Sequence, residues 1–366
     1  MIDADGNEVE PVSTYLMDLL VGDCSPRTCR SYAYDLLRWF RVLWFLDVEW
    51  SCAAESHVVS MVGWLRTASN PQRRRRYSSS PQPGSVNPKT GKRELGDGYA
   101  PRTINHALSV IRSFYAFHAH FGRGPVINPI PESPDCGRLR HRSPLEPAPA
   151  IRRARLRQAV PEQLPRSIPD KQWEELFDAM GCDRDRSLLL FYVSSAARAS
   201  ELLAVRPEDV DWSARLIYVV SKGTRLRQAI PASPKAFVYL ARYLDKCGPP
   251  APGTPLWRTR RGPERPLTYW AMRRVVQRAN ELLGANWTLH DLRHTAATRM
   301  ANDPGLTLVE VQAILRHAHL DTTGTYLRVR VEDMFDKLTD HYERPRPERK
   351  PAAGYDPADL AAVFGG

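Results

Sequence analysis

The sequence predicts a mainly α-helical protein of two domains, carrying one small antiparallel β-sheet. Three observations predict it. Apolar residues recur at helical spacing through most of the chain. A Pro- and Arg-rich stretch at 123–166 interrupts that pattern once, and two short runs beyond it, 215–220 and 225–230, flank a glycine-containing turn as a hairpin does. The 366 residues suit about two ordinary domains, and 42% hydrophobic residues give each enough apolar surface for a core.

The elements follow in order. Val12–Leu20 carries an apolar stripe. Ser25 and Pro26 supply an N-cap and a proline at the first helical position, and Tyr32, Leu36, Leu37, Phe40, Leu43 and Trp44 keep helical spacing to about Leu46. A third helix is predicted over Glu55–Thr67, and a fourth after Pro101, with Ile104, Leu108, Ile111, Phe114 and Tyr115 on one face. Between these two lies a basic loop, 69–98, containing Arg73, Arg74, Arg75 and Arg76. A loop of that length in a compact domain is functional or unstructured, and four adjacent arginines favour contact with phosphates over a solvated insertion. In the connector, Arg138, Arg140, Arg142, Arg152, Arg153, Arg155 and Arg157 punctuate proline runs, as suits a stiff segment following a nucleic-acid backbone. Helices are predicted at 170–180, 185–195, 199–204, 233–246, 268–283, 290–302, 307–316 and 322–338. The resulting division is 1–122, 123–166, 167–342 and a tail 343–366 with an apolar end.

Composition narrows the partner. Lys and Arg total 52 against 41 Asp and Glu, a net charge of +11, and only eight of the 52 are lysines. Such a balance fits a polyanion, most commonly nucleic acid, and arginine makes forked contacts to phosphate. No apolar run is long enough to span a membrane, so no membrane partner is expected. The N-terminus lacks a secretory pattern, and the six cysteines form no CxxC pair. The expectation is a soluble protein of a reducing, bacterial cytoplasm, associated with the nucleoid.

Candidate chemistry clusters late in the chain. His290 and Arg293, three apart on a helix, share a face and can reach one phosphate. Before them come Arg198, Glu201 and, at the hairpin tip, Lys222; after them come His317 and Tyr326, nine residues apart. Taken singly, each has a plain structural reading: a half-buried tyrosine, an i, i+3 ion pair, a solvated turn lysine. The pairs His118/His120 and His317/His319 lack the Cys or carboxylate partners of a metal site.

In this order, Arg198, Lys222, His290-x-x-Arg293, His317 and Tyr326 resemble the signature of the tyrosine recombinase, or phage integrase, family. The resemblance covers about 167–340 with specific motifs and 8–122 more weakly. It implies an N-terminal helical core-binding (SAM-like) domain and a C-terminal catalytic domain. It implies that Tyr326 attacks a phosphodiester to give a 3′-phosphotyrosyl link, with Arg198 and Arg293 on the phosphate. His290 would assist proton removal, Lys222 protonate the 5′-oxygen, His317 bond the phosphate and Glu201 brace the site. It implies double-stranded DNA as substrate, a homotetramer on two DNA sites and an accessory factor that can set direction. Such chemistry needs neither cofactor nor metal. Integration in a mobile element is the outcome favoured; relaxation of the type IB topoisomerase kind, or an idle DNA-binding protein, are the alternatives. The sequence departs from the family pattern at Arg316, where many members have glycine before the second histidine, and at Ser194–Ala197, which lacks a common glycine. Arginine strains a turn of positive φ, so Arg316 is expected to continue its helix and touch DNA.

Overall fold

A computed structural model describes residues 1–3, 5–73, 81–133, 153–161, 166–221, 225–316, 339 and 342–343. The chain divides into one unit of Met1–Gln163 with Gly284–Asn286, and a second of Leu164–Leu283 with Trp287–Gly366.

The first unit is built on four helices: α1 (Glu10–Val21), α2 (Pro26–Phe45), α3 (Glu55–Thr67) and α4 (Pro101–His120). All four stand where the apolar spacing placed them. Ser25 caps α2 as predicted, its hydroxyl accepting from the Thr28 N–H at 3.2 Å. The buried faces meet in one core containing Val12, Leu36, Trp39, Phe40, Met61, Ile104, Leu108 and Phe114. Phe114 lies at its centre, with ring centroids of Tyr15, Phe40, Trp50, Tyr115 and His118 all within 4.6–5.8 Å. His118 is fully buried and donates from Nε2 to the Pro11 carbonyl at 2.9 Å, tying α4 to the start of α1. Burial lowers its pKa, so it serves the core as a neutral ring.

The basic loop leaves this unit through a closed neck. Ser69 bridges Gly98, Asn70 N–H donates to the Asp97 carbonyl, and Arg73 donates to the carbonyls of Gly96 (3.0 Å) and Gly98 (2.9 Å). Arg73 therefore holds the neck; Arg74, Arg75 and Arg76 lie outside the described residues. The connector's end also packs locally. Leu156 rests on the core, Asn105 and Gln158 exchange two hydrogen bonds, and Arg155 pairs with Glu55 at 3.0 Å. Arg153 is exposed, and Arg152 is outside the described residues.

The second unit contains α5 (Asp170–Asp178), α6 (Asp183–Ser195), α7 (Ala199–Leu203), α8 (Pro234–Cys247), α9 (Tyr269–Leu283), α10 (Leu289–Ala301) and α11 (Leu308–Leu315). Its sheet has the antiparallel order β1 (Val210–Asp211), β2 (Leu216–Val220) and β3 (Arg227–Pro231), with Val220 opposite Arg227. The hairpin was predicted; β1, only two residues long, was not. Lys222 to Thr224 at the tip, the helix predicted at 322–338 and the tail beyond residue 343 fall outside the described residues. Trp257 anchors α7 by donating to the Leu202 carbonyl at 2.8 Å while stacking on Tyr243. The Asn280 amide grips both backbone groups of Trp287, fixing the approach to α10. No described helix is long and apolar enough to cross a membrane.

Truncating the ring at the centre of the first core, Phe114→Ala, is expected to lower that unit's stability by about 3–5 kcal/mol. Urea denaturation followed by tryptophan fluorescence measures it; a loss below about 1 kcal/mol would mean that the cluster collapses around the gap.

Candidate active site

The second unit brings four of the sequence-predicted residues, Arg198, Glu201, His290 and Arg293, onto neighbouring elements. Helix α10 starts with a reciprocal cap: Thr288 accepts from the Asp291 N–H, and Asp291 Oδ2 accepts from Thr288 N–H (2.7 Å) and Oγ1 (2.8 Å). The cap fixes the first turn, on which His290 is exposed and stacks edge-on against His294 at 4.1 Å. Arg293, one turn on, points inward and is only 6% exposed. The body of α10 is held by Thr295, whose hydroxyl accepts from the Ile168 N–H at 2.8 Å, and by Arg299 paired with Asp170.

Arg293 donates from Nη1 to the Ala196 carbonyl and from Nη2 to the Leu315 carbonyl. Both acceptors stand at helix C-termini, where carbonyls lack helical partners. Ala196 follows α6 and Leu315 ends α11, so one guanidinium draws the ends of two helices together. Ala196 also lies two residues from Arg198 along the chain. Small side chains permit the approach: Ala196, Ala296, Ala297, Val311 and Leu315 form one buried cluster.

At the other side of the corner, Glu201 is buried, its side chain only 1% exposed. Its Oε1 accepts from Arg198 Nη1 at 2.7 Å, and its Oε2 from the Arg198 N–H and Arg316 Nη2, each at 2.8 Å. Burial pushes this carboxyl up, but the Arg198 N–H and the charges of Arg316 and Arg198 outweigh it, and the group titrates below its usual value of 4.5. Arg198 keeps a third of its side chain exposed, so a guanidinium oriented by Glu201 still meets solvent.

The two departures from the family pattern sit at these joints. Ala196 takes φ 51° and Arg316 φ 54°, both in the left-handed region that glycine adopts more easily. Ser195 braces the first, its hydroxyl donating to the Phe191 carbonyl at 2.6 Å and accepting from the Ala197 N–H at 3.3 Å just past the turn. The expectation for Arg316 is corrected: α11 ends at Leu315, and Arg316 folds back onto Glu201 because the buried carboxylate attracts its guanidinium more than solvent does. Lys222, His317 and Tyr326 lie outside the described residues. Of the neighbouring hairpin arginines, Arg227 pairs with Asp209 at 2.9 Å and covers the Tyr218 ring. Among the described residues no group of three His, Cys, Asp or Glu could hold a metal. A groove of about 660 Å³ belongs to the first unit, between Arg38, Phe45, Trp64 and Tyr99, and holds none of the predicted catalytic residues.

A helical unit that collects two oriented guanidinium groups beside an exposed imidazole defines a class of site suited to phosphate esters. The phage integrase family profile matches residues 166–333. Tyrosine recombinase XerC of Chlamydia pneumoniae is 30% identical over 253 residues, 65% of this chain and 71% of that protein. Transposase A from transposon Tn554 of Staphylococcus aureus is 23% identical over 367 residues, 94% of each chain. The match to tyrosine recombinase XerA of Pyrococcus horikoshii, 28% identical, spans 49% of this chain and 62% of that protein, less than two thirds of it. Among solved structures, a lambda integrase dimer bound to a COC′ core site shares the fold at a TM-score of 0.59 and 14% identity, covering 93% of this chain and 80% of that one. The chain belongs to the tyrosine recombinase family.

Because the depressed Glu201 pKa signals a carboxylate favoured by folding, its stabilisation is present above the unfolded value near 4.5 and is lost as pH falls through the lowered folded value. Glu201→Gln is expected to be about 3 kcal/mol less stable near pH 7, the cost of leaving the buried Arg316 guanidinium without a counter-charge. The gap should close in acid. Denaturant melts of both proteins across the acid range test this; a gap independent of pH would deny the carboxylate's ionisation any part.

Proposed function

We propose that this chain cuts and rejoins double-stranded DNA for a mobile element, through a 3′-phosphotyrosyl intermediate on Tyr326. The observation that carries the reading is the corner where Arg293 binds the Ala196 carbonyl while Glu201 orients Arg198 two residues on. Two positive groups so placed can hold the non-bridging oxygens of one phosphate and stabilise charge that grows there during attack.

In the step proposed, the Tyr326 oxygen forms a bond to phosphorus and the bond from phosphorus to the 5′-oxygen breaks. Tyrosine ordinarily titrates near 10, so its proton must be drawn off, and His290 is the base assigned to it. Lys222 returns a proton to the departing 5′-oxygen, and His317 bonds the phosphate. Reversal by a 5′-hydroxyl of a second duplex restores the phosphodiester and frees Tyr326. The ester bond is exchanged rather than spent, so the cycle balances without nucleotide or metal.

The helical segment 1–122 is assigned to DNA binding, with Arg74, Arg75, Arg76 and the connector residues Arg152, Arg153 and Arg155 as phosphate contacts. Arg155 would leave its exposed pair with Glu55 to do so, at small cost. Four protomers on two duplexes, the 343–366 tail passing between them, and an accessory factor setting direction complete the proposal. A strand-exchanging assembly supplies the second 5′-hydroxyl that mobile-element integration requires. A type IB topoisomerase would use the same pair of arginines without strand exchange, and an idle binder would form no adduct, so the trapping experiment separates the three.

Covalent trapping tests the reading. Incubation with nicked duplexes from DNA flanking the gene, followed by denaturation and sequencing, should recover adducts at one recurrent sequence, absent with Tyr326→Phe although that variant binds as tightly. Adducts spread over all sequences would point to relaxation instead, and their complete absence would reject the chemistry.

Neutralising Arg74, Arg75 and Arg76 together is expected to reduce the salt dependence of DNA affinity by up to about three units, near 0.9 per phosphate released. An unchanged slope in a salt titration would assign those side chains to solvent.

A further inference from the structure

Arg316 occupies a position that the fold does not offer cheaply to arginine. Its backbone lies at φ 54° and ψ 47°, ending α11, and glycine would adopt that conformation with less strain. Its side chain nevertheless turns inward and is only 6% exposed. Nη1 donates to the Ile314 carbonyl at 2.9 Å and Nη2 to Glu201 Oε2 at 2.8 Å. Burial lowers the guanidinium's pKa, and the Glu201 charge opposes that shift. The oxygen it reaches also accepts the Arg198 N–H, and the other oxygen of the same carboxylate holds the Arg198 guanidinium. The residue that follows Arg316 in the chain is His317.

We propose that Arg316 is a positioning residue of the recombinase site. Through Glu201 it couples the corner from which the chain enters His317 to the carboxylate that orients Arg198. A glycine there leaves the corner free to pivot; the arginine replaces that freedom with an ion pair 115 residues apart in sequence. The inference deepens the reading given above and rests on it, since Arg198 is the proposed phosphate ligand whose orienting carboxylate the pair would hold in place. Arg316 itself touches neither the phosphate nor the nucleophile.

A purely structural role for residue 316 predicts the opposite order of variants. If the position serves only to end a helix, Arg316→Gly relieves strain and Arg316→Lys, with the same backbone penalty as arginine, behaves like the native chain or worse. If it positions the site, the order of activity is native, then Lys, which keeps a charge for Glu201, then Gly. The experiment uses the full chain and nicked duplexes from DNA flanking its gene. It reads the single-turnover rate of covalent adduct at saturating protein, alongside duplex affinity and melting temperature. Arg316→Gly is expected to slow adduct formation by about tenfold or more, as a misplaced reacting group does, with affinity within about twofold at a temperature where the melt shows the variant folded, since breaking the buried pair with Glu201 lowers its melting point even as the backbone strain is relieved. Arg316→Lys should recover part of the rate. Glu201→Gln combined with Arg316→Gly should be little slower than the slower single variant, because both break one linkage. Equal rates for the glycine variant and the native chain would overturn the inference alone. No adduct from the native chain would overturn the recombinase chemistry and the inference with it.

Discussion

The buried carboxylate of Glu201 is the constraint on which the second unit's site depends. A carboxylate withdrawn from water must recover its lost hydration from protein donors, and Glu201 does so from a backbone N–H and two guanidinium groups. Each of those donors is thereby fixed in direction. Arg198 caps α7 through its own N–H while its side chain returns to the same acceptor, so the start of the helix and the guanidinium are set by one group. A lysine at 198 could not reproduce this arrangement, because a single ammonium lacks the planar fork that leaves further N–H donors for a phosphate. The carboxylate itself never needs to touch a substrate to matter.

Arg293 solves a different problem with the same side-chain chemistry. The carbonyls at the ends of α6 and α11 lack helical partners and carry the negative ends of their helices. A cation between them satisfies both, and the alanines around Ala196 leave room for it. That arrangement also accounts for the left-handed residues at both ends. The chain must reverse direction abruptly for its carbonyls to converge, and the strain at Ala196 and Arg316 is the local expense of the convergence.

Much of this was legible in the sequence, and what was not has identifiable causes. The long helices could be read because apolar period and caps agree, as at Ser25. Arg198, His290, Arg293 and Glu201 were found from motif order, and the structure gathers them around the α6–α7 and α10 corners. Strand β1 escaped because two residues carry no periodicity. Arg73 read as one of four equal arginines, yet the neck carbonyls of Gly96 and Gly98, more than twenty positions away, single it out. Arg316 was misread for the same reason: its partner lies across the fold, and a local rule against arginine at positive φ cannot register a buried carboxylate that outweighs it. A signal was available in retrospect, since an arginine replacing an expected glycine needs a compensating acidic partner, and Glu201 is the acidic residue of the neighbouring motif.

The two arginines also differ in what DNA must supply. Because Arg293 is held by backbone carbonyls, its location follows from folding itself and needs no substrate. Arg198 is held by a side chain, and a third of it remains in water. Binding a phosphate there competes with hydration rather than with Glu201, whose oxygens already accept from the far side. The site is thus preorganised unequally: one guanidinium fixed deep by the backbone, one aimed outward by a carboxylate. For an anion whose charge rises during reaction, that inequality is useful. In the role proposed for them, the deep group would set where phosphorus sits and the outer group would follow the oxygens as they move, so little reorganisation would be left for the moment of bond exchange.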